Sequence, residues 1–431
     1  MMPVYSKLCC GALILLLLMS AVACDGAFGK ESFPQPDVQT GQGSHQTQQT
    51  SAPETNGQST ATPEPPSTEK NTEKPTEEPT TETNAETNAE TSTEKVTEQP
   101  TETVATEPPV QDQPIVTPSD LGYTYPEMEE DLAALDDRYG AYFSYQSIGK
   151  SVDGREIYAC VVGNPNAGKK VLVSGGIHGK EYLSSLVVMT QMEYYLSCRE
   201  TGSYHGMSYA ELLESYAFYV LPMINPDGIM LALCGIESMQ TAEARAAVEK
   251  VYAANLRDGL TGAQDINVYL AYNWKANANG VDLNRNFALS NWADVKTGIL
   301  SPCFRNYKGP RAASEPETQA VSAYVESIGE IESLLAFHTA GQVVYWDCGV
   351  TGGVRQQTYD LAAAVCEHAG YKLIYDKHLD ASLNDWITLE KGVPSVTIEI
   401  ANVIYPMPTS ELEDAFAQTK ELWVVAAQLF G

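Results

Sequence analysis

The feature that most limits how this chain can fold is an alternation of short apolar runs with longer helical segments between residues 119 and 431. The runs KKVLVS, YAFYVL, SLLAFH and PSVTIEI have the length and composition of buried strands, and the apolar helical segment 181–197 follows the first of them. Strands that are buried on both faces need helices on both sides of the sheet. The sequence therefore predicts an α/β domain, a three-layer sandwich with a mixed, mostly parallel central sheet.

The sequence between residues 25 and 118 has a different composition. Residues 51–110 contain 13 Glu and 3 Lys, so this stretch carries ten of the 30 net negative charges of the chain. It has too little apolar surface to offset the entropy of ordering, and its prolines and like charges keep it extended. We expect 25–118 to be a disordered Thr/Glu/Pro-rich linker. We expect 119–431 to form one catalytic domain, because this length is enough for a large α/β domain with a substantial core.

Residues 1–24 have the pattern of a secretory signal. Lys7 precedes an apolar core from Gly11 to Ala23 that is short for a membrane span. Ala21-Val22-Ala23 fits a cleavage site, and with Cys24 it also resembles a bacterial lipoprotein signal. We expect an extracellular protein that is either secreted or anchored to the bacterial cell surface through a lipidated Cys24.

Charge and cysteine usage narrow the class of protein further. The chain has a formal net charge of −30 and no basic stripe, so we expect no nucleic-acid partner. The domain has an even number of cysteines, whose spacing indicates neither a metal cluster nor a particular disulfide pairing. We expect a monomer that acts on a peptide.

A His-x-x-Glu pair after a strand is the first candidate for a metal site. His178 and Glu181 follow KKVLVS and two glycines. Such a pair alone is usually a surface or capping contact, and catalytic zinc commonly takes three protein ligands and leaves a fourth position for water. Of the other histidines in the domain, only His338 also ends an apolar strand. The ordinary alternative for His338 is a core histidine bonded to the backbone.

An acid and an arginine extend this pattern. Glu399 lies in the strand-like run PSVTIEIAN, where an unpaired carboxylate is costly, so it is either paired structurally or placed to act as a base. Arg285 in GVDLNRNF presents a fork that matches a carboxylate, although a surface ion pair would also use it. The strand ends near His178, His338 and Glu399 form one rim in a sheet of this kind.

Together these segments resemble the zinc carboxypeptidase family, in the order in which the family has them. The resemblance is carried by YTYPEMEEDLAALDDRYG, SIGKSVDGREIYACVVG, GGIHGKEYLSS, LPMINPDG, GVDLNRNF, AFHTAG and SVTIEIAN. It covers residues 119–431 and implies a zinc carboxypeptidase-like fold, peptidase activity and one Zn²⁺ per catalytic domain.

The resemblance also implies a role for individual residues. The residues concerned are the zinc ligands His178, Glu181 and His338, the general base and acid Glu399, and the carboxylate-binding pair Asn284 and Arg285. The family's arginine that polarises the scissile carbonyl follows a tryptophan, and Lys275 follows Trp274 here. Lysine offers an oxyanion positive charge without the bidentate fork of arginine.

The same resemblance bears on the substrate. WKANANGVDLNRNF and INPDG look most like the bacterial branch that cleaves γ-D-glutamyl-diaminopimelate bonds in peptidoglycan stem peptides, whereas a nutritional carboxypeptidase fits a secreted protein equally well. Asn384 and Asp385 would lie at the specificity pocket, with Asp385 facing a basic side chain or serving the structure. The family's substrate-capping tyrosine would fall near Lys377, two residues from Tyr375.

A hypothesis from another class is a peptide- or wall-binding module that has lost catalysis. Its support in the sequence is Lys275, because the expected ligands and base are all present. Glu399→Gln separates the two hypotheses, since it abolishes turnover by an enzyme and leaves ligand binding by a module nearly unchanged.

Overall fold

The computed structural model describes residues 113–263, 265–375 and 378–430. The expected signal 1–24 lies outside the described residues, as does the expected linker up to residue 112. The last residues of the stretch assigned to the linker pack against the domain. The N–H groups of Ile115 and Val116 donate to the Glu193 carboxylate at 2.7 and 2.8 Å, and Val116 is buried. The packed part of the chain therefore starts before residue 119.

A central sheet of eight strands organises the described residues. The strands along the chain are β1 (Phe143–Lys150), β2 (Glu156–Gly163), β3 (Lys169–Ser174), β4 (Ser203–Tyr204), β5 (Met207–Ser208), β6 (Tyr216–Leu221), β7 (Ser333–Thr339), β8 (Val343–Tyr345), β9 (Lys372–Ile374) and β10 (Ser395–Ile400). Their order in the sheet is β1-β2-β6-β3-β7-β10-β8-β9, and β4 and β5 form a separate pair. Neighbours run parallel from β6 through β3 and β7 to β10 and again at β8-β9, which confirms the mixed, mostly parallel sheet.

Helices cover both faces of this sheet. They are α1 (Tyr125–Tyr139), α2 (Tyr182–Ser197), α3 (Tyr209–Ser215), α4 (Pro226–Cys234), α5 (Ala242–Arg257), α6 (Ile266–Asn273), α7 (Pro316–Ile328), α8 (Gly353–Ala369), α9 (Leu383–Lys391), α10 (Leu412–Thr419) and α11 (Leu422–Phe430). One core joins α1, α2, α8 and α11 to one face, and a second core joins α7 and α9 to the other. The predicted three-layer arrangement is therefore confirmed.

Strand β10 shows how the two faces differ. Val396, Ile398 and Ile400 enter the core shared with α2 and α8, because alternate side chains of a strand point to opposite faces. Thr397 and Glu399 point the other way and line a cavity. The run that resembles a buried strand thus has one apolar face and one polar face.

The C-terminal segment is helical but not continuous. The structure has a 3₁₀ turn at Thr409–Glu411 and two helices, α10 and α11, separated after Thr419. The Gln191 amide donates to the Thr419 carbonyl oxygen at 3.0 Å, so a side chain takes the place of a helical N–H group there. None of the described helices combines the length and the hydropathy that a membrane span needs.

Candidate metal centre and active site

Neighbouring strands of the sheet bring the candidate site residues to one edge. His178 lies four residues beyond the end of β3, and β3 pairs with β7, which carries His338. Strand β10 lies on the other side of β7, where Glu399 pairs in register with His338. Residues that are far apart in the sequence therefore meet at the carboxyl ends of three parallel strands, as expected for ligand sites in α/β sheets.

His178, Glu181 and His338 form a compact group in which one ligand atom from each lies within 4.8 Å of the other two. Glu181 Oε1 is 3.0 Å from His178 Nδ1, and Glu181 Oε2 is 3.1 Å from His338 Nδ1. The three residues are 5%, 1% and 3% exposed. Two imidazoles and a carboxylate in this arrangement match the donor set of a catalytic zinc site.

The protonation of these residues also fits a metal. His178 Nδ1 is buried and has no hydrogen-bond partner among the described residues, and Glu181 Oε1 lies 3.0 Å from it and 2.7 Å from Lys275 Nζ. Burial raises the pKa of Glu181, but the positive charges of His178 and Lys275 lower it well below its usual value, so the carboxylate is ionised. Burial lowers the pKa of His338, which keeps its imidazole neutral. Burial acts in the same direction on His178, but the carboxylates of Glu181 and Asp282 raise the pKa of His178 above its usual value. A metal binds the ionised carboxylate and the neutral imidazole directly, and it would take the place of a proton on His178.

Asn225 holds the segment that carries His178. This residue of the INPDG motif caps α4 through a bond from the Gly228 N–H to its Oδ1 at 2.9 Å. Its Nδ2 donates to the carbonyl oxygens of Ile177 at 3.1 Å, Lys275 at 3.2 Å and Ala276 at 3.1 Å. One side chain therefore fixes the His178 turn against the segment that carries Lys275.

Asp282 is a site residue that the sequence analysis missed. Its Oδ1 is 3.2 Å from His178 Nε2, and its Oδ2 accepts from the Asn306 N–H at 2.8 Å. Burial raises its pKa, but His178 lowers it below its usual range, so the carboxylate is charged. A carboxylate on the far nitrogen orients a metal-binding imidazole. The available signal was an acid two residues before Asn284 in GVDLNRNF.

Lys275 lies beside the three candidate ligands. Its Nζ is 2.7 Å from Glu181 Oε1, and its side chain lines the cavity next to His178 and His338. Burial lowers the pKa of Lys275, but the carboxylates of Glu181 and Glu399 raise it above its usual value. The structure thus places a permanent positive charge at the position where the resemblance expects one.

Glu399 faces the same cavity. Removal of water around its carboxyl, followed by the like charge of Glu181, raises its pKa to about 7, against the lowering effect of Lys275 and His178. A carboxylate with a pKa near neutrality can take up and release a proton, which is what a general base and acid requires.

Arg285 and Asn284 also line the cavity. They belong to a 3₁₀ turn, Leu283–Arg285. The Asn284 Oδ1 accepts from the Leu383 N–H at 3.1 Å, which ties this turn to the start of α9. The Arg285 guanidinium is half-buried, with Nη2 3.1 Å from the Asp380 carboxylate and Nη1 donating to the Asn284 carbonyl oxygen. The Arg285 guanidinium already pairs with one carboxylate in this cavity, so it is positioned to donate hydrogen bonds to a carboxylate of a substrate.

Asn384 and Asp385 have different environments at the start of α9. Both line the cavity. The Asp385 carboxylate accepts from the N–H groups of Asp380 at 2.8 Å and Ser382 at 3.1 Å, so it closes the N-terminal turn of α9. This geometry favours the structural role of Asp385. Asn384 Oδ1 and Nδ2 are buried without a hydrogen-bond partner among the described residues, which suits a group that contacts a ligand.

Three positions bear on the substrate-capping tyrosine. Lys377 lies outside the described residues. Tyr375 is exposed and packs against Trp346 with ring centroids 5.7 Å apart. Tyr405, which the sequence analysis did not single out, is close enough to Glu181, Lys275 and Glu399 to interact with their charges. Its hydroxyl donates to the Thr339 carbonyl oxygen at 2.9 Å.

The cysteines of the described chain are not paired with one another. No disulfide joins any two of the described cysteines, which are Cys160, Cys198, Cys234, Cys303, Cys348 and Cys366. Disulfides therefore do not hold the described part of the fold together, and the hydrophobic cores on the two faces of the sheet do so.

The class of protein that this fold and site define is a metallopeptidase, because two histidines and a glutamate that could hold a metal lie together at the edge of the sheet. The chain belongs to the zinc carboxypeptidase family, because a sequence model of that family matches residues 128–422. Among curated proteins, the chain is similar to γ-D-glutamyl-L-diamino acid endopeptidase 1 of Lysinibacillus sphaericus. The two are 26% identical over 308 residues, which cover 71% of this chain and 72% of the relative.

Animal proteins are also similar to this chain. Human mast cell carboxypeptidase A is 26% identical over 228 residues, which cover 52% of this chain and 47% of that relative. The solved structure of thrombin activatable fibrinolysis inhibitor matches with a TM-score of 0.58 at 18% identity, over 74% of this chain and 77% of the other. Carboxypeptidase A from Helicoverpa armigera matches with a TM-score of 0.54 at 17% identity, over 74% and 76%. These structures share the fold.

Proposed function

We propose that this member of the zinc carboxypeptidase family hydrolyses the γ-D-glutamyl–diamino acid bond of peptidoglycan stem peptides. The observation that carries the proposal is the His178–Glu181–His338 group beside a cavity that also holds Arg285. The similarity to the endopeptidase of Lysinibacillus sphaericus, over 71% of this chain, supports the bond and the substrate.

The charges of the cavity support a diamino acid as the residue that follows the cleaved bond. Arg285 lies in the cavity together with Asp347, Asp380 and Asp385. A diamino acid carries both ammonium and carboxylate groups, so cationic and anionic side chains can each meet a partner of opposite charge. An aromatic side chain offers these charged groups no polar partner of its own.

We propose that His178, Glu181 and His338 hold a zinc ion. A bound zinc ion supplies Lewis acidity, which polarises a carbonyl oxygen and lowers the pKa of water. Glu399 accepts the proton of the attacking water and delivers it to the leaving amine. Lys275 donates to the oxygen of the scissile carbonyl as negative charge develops on it. Arg285, with Asn284, binds the free carboxylate and so selects the bond that is presented to Glu399.

We also propose that the protein acts outside the cytoplasm. The support is the signal-like segment 1–24, with Cys24 placed as in a lipoprotein signal. The acidic, proline-interrupted stretch that follows it suits a tether between a membrane anchor and the domain. Globomycin treatment of the native host, followed by membrane fractionation, tests this: accumulation of an unprocessed precursor supports lipidation of Cys24, and unchanged processing contradicts it.

Two substrates test the reaction. The purified protein is incubated with L-Ala-γ-D-Glu-meso-diaminopimelate or with a library of ordinary peptides, with and without a chelator, and products are identified by mass spectrometry. We expect chelator-sensitive cleavage of the first substrate at the γ-bond. Zinc-dependent shortening of ordinary peptides alone would instead indicate a general carboxypeptidase. Cleavage of neither substrate by the zinc-loaded protein would favour a binding module.

Matched histidine variants test the metal ligands. His178→Ala should lose bound zinc, measured by elemental analysis, and with it hydrolysis. His205→Ala is the control, because His205 is exposed in a turn between β4 and β5. Equal zinc content and equal activity in the two variants would contradict the assignment.

A further inference from the structure

A buried glutamate links the two turns that carry Lys275 and Arg285. Glu315 is 3% exposed and stands immediately before α7. It is not among the residues that line the cavity, so any part that it has in the reaction is indirect. One oxygen of its carboxylate contacts the first turn, and the other oxygen connects to the second turn through a serine.

The first oxygen holds the chain just after Lys275. Glu315 Oε2 accepts hydrogen bonds from Asn277 Nδ2 at 2.8 Å and from Asn279 Nδ2 at 2.9 Å. Asn277 is fully buried, and its Oδ1 accepts from the N–H groups of Asn279 and Val281, both at 3.1 Å. The Asn277 side chain therefore closes a tight turn, and Glu315 fixes the orientation of that side chain.

This turn connects two residues of the candidate site. Lys275 precedes it, and the Lys275 ammonium lies 2.7 Å from a carboxylate oxygen of Glu181. Asp282 follows it, and the Asp282 carboxylate lies 3.2 Å from His178 Nε2. The shape of the turn therefore helps to set the distance between the cation and the carboxylate that flank the candidate metal ligands.

The second oxygen connects to the turn that carries Arg285. Glu315 Oε1 accepts from Ser314 Oγ at 2.6 Å, and the same hydroxyl accepts from Asn286 Nδ2 at 2.9 Å. The Glu315 N–H donates to Asn286 Oδ1 at 3.1 Å. Asn286 directly follows Arg285, and its N–H donates to the Leu283 carbonyl oxygen at 3.1 Å, which closes the 3₁₀ turn. Hydrogen bonds therefore run without a break from one turn through Glu315 to the other.

Burial makes this chain of hydrogen bonds sensitive to the loss of one member. A hydroxyl that accepts one hydrogen bond and donates another strengthens both, and a buried donor that loses its acceptor destabilises the packing around it. Asn277 Nδ2 also donates to Glu317 at 3.1 Å, so removal of the Glu315 carboxylate leaves Asn277 with one of its two acceptors. The turns would then shift relative to each other while the surrounding fold persists.

We infer that Glu315 is a positioning residue that sets Lys275 and Arg285 relative to each other and to the metal ligands. Through Asn277 it fixes the cation beside the scissile carbonyl, and through Ser314 it fixes the cation that binds the free carboxylate of the substrate. A substrate that meets both cations needs them at one separation, because a small misplacement of a binding group lowers the rate strongly. This inference rests on the roles proposed above for the two cations.

Variants that break one branch or both test the inference. Asn277→Ala breaks the branch to Lys275, Ser314→Ala breaks the side-chain branch to Arg285, and Glu315→Ala breaks both. Glu193→Ala is the matched control, because Glu193 is also a buried acid and accepts from two backbone N–H groups, away from the candidate site. The values of kcat and KM per bound zinc and the free energy of unfolding are measured for each protein. The substrate is whichever of the two kinds of peptide named above the zinc-loaded wild-type protein cleaves.

We expect the two branches to affect different kinetic constants. Asn277→Ala should lower kcat by about tenfold with a smaller change in KM, since it displaces the group that acts on the developing oxyanion. Ser314→Ala should raise KM by about 2- to 10-fold, the range of one neutral hydrogen bond. Glu315→Ala should do both and lower kcat/KM by about 10- to 100-fold. Glu193→Ala should lose stability and keep the wild-type kcat and KM per bound zinc.

Two further proteins separate positioning from general stabilisation. Glu315→Gln should retain most of the activity, because its amide oxygen can still accept from Asn277 and Asn279. In the background of Lys275→Met, Glu315→Ala should lower kcat by a smaller factor than it does in the wild-type protein, because the residue through which it acts on kcat is already absent. Its effect on KM should persist.

The other outcomes overturn the inference in distinguishable ways. Wild-type kcat and KM per bound zinc in Glu315→Ala, with lower stability alone, would give Glu315 the same purely structural role as Glu193. If Glu315→Ala does not fold, unchanged kcat in Asn277→Ala together with unchanged KM in Ser314→Ala has the same meaning. Cleavage of ordinary peptides alone by the wild-type protein would overturn the proposed γ-bond and leave this inference intact. Cleavage of no peptide by the zinc-loaded wild-type protein would overturn both.

Discussion

Glu181 is in contact with three other residues of the site. Its two oxygens lie near His178 Nδ1, His338 Nδ1 and Lys275 Nζ, at 3.0, 3.1 and 2.7 Å. A buried carboxylate needs this positive charge, because desolvation alone would make its ionised form unfavourable. A metal held by Glu181 and the two imidazoles would also compensate the negative charge of Glu181, as Lys275 does here. Lys275 is therefore placed to compensate negative charge on an oxygen atom that lies beside the metal.

Substitution of Lys275 tests this role. We expect Lys275→Met to lower kcat by about 10²- to 10³-fold with a smaller change in KM, as is typical when one donor to a developing oxyanion is lost. Lys275→Arg should retain much of the activity, because the family's arginine has the same charge at this position. Steady-state kinetics on the zinc-loaded variants measures both effects. A drop in zinc content with unchanged kcat per bound zinc would show that Lys275 serves the metal ligands only.

At the scale of elements, the turn between β3 and α2 controls the geometry of the ligands. The 3₁₀ turn Gly179–Glu181 packs against the start of α4, and the Gly179 N–H donates to the Lys275 carbonyl oxygen at 3.2 Å. A Cβ atom on Gly179 would meet the Gly228 carbonyl oxygen and lie 2.9 Å from the Trp274 carbonyl oxygen. Both neighbours are backbone atoms, which cannot move aside as a flexible side chain can.

Gly179→Ala should therefore destabilise the protein and displace His178 and Glu181. We expect a loss of about 1–3 kcal/mol in the free energy of unfolding, the usual cost of an added methyl group in a packed site, together with weaker zinc binding. Gly168→Ala is the control, since a Cβ there meets nothing within 4 Å. Denaturant unfolding and zinc titration of both variants check this, and similar values for the two would contradict the packing argument.

At the scale of the whole molecule, a buried polar network joins the first strands to the region beside the active site. Arg155 pairs with Asp153 at 2.7 Å and with Asp227 at 2.8 Å. Glu317 lies near Asp227 and accepts from the Val152 N–H at 3.0 Å and from Asn277 Nδ2 at 3.1 Å. Burial, followed by the like charge of Asp227, raises the pKa of Glu317 to about 8. The folded protein therefore holds a proton that the unfolded chain releases near pH 4.3, about the usual pKa of a glutamate.

This difference predicts how stability depends on pH. The folded state binds more protons than the unfolded state between about pH 4.3 and pH 8, so Glu317 makes the free energy of unfolding fall as the pH rises, by up to about 1.4 kcal/mol per pH unit. The stability that neutral Glu317 provides is fully present below that window and lost above it. Glu317→Gln should flatten the curve, as measured by denaturant unfolding from pH 5 to pH 9. The exposed control Glu330→Gln should keep the wild-type slope, and an equal slope in both variants would contradict the prediction.

The local sequence determined the alternation of strands and helices and the order of the motifs, because a strand buried on both faces must be apolar and a helix between parallel strands must cover it. It also singled out His178, Glu181, His338 and Glu399, since polar residues at strand ends stand out against apolar runs. The tertiary structure brings these four together, through the adjacency of β3, β7 and β10 in the sheet.

What the sequence could not determine depends on which side chains meet across distant segments. Asp282 reads as an ordinary loop acid until the fold places it on His178 Nε2, 104 residues away in sequence. Asp385 could face a basic substrate or cap α9 until its contacts with two N–H groups are seen. Tyr405 and Lys180 come together only because the loop after β10 folds back over the turn after β3. Residue type and spacing fix the chemistry that is available, and packing alone fixes which of these groups share one site.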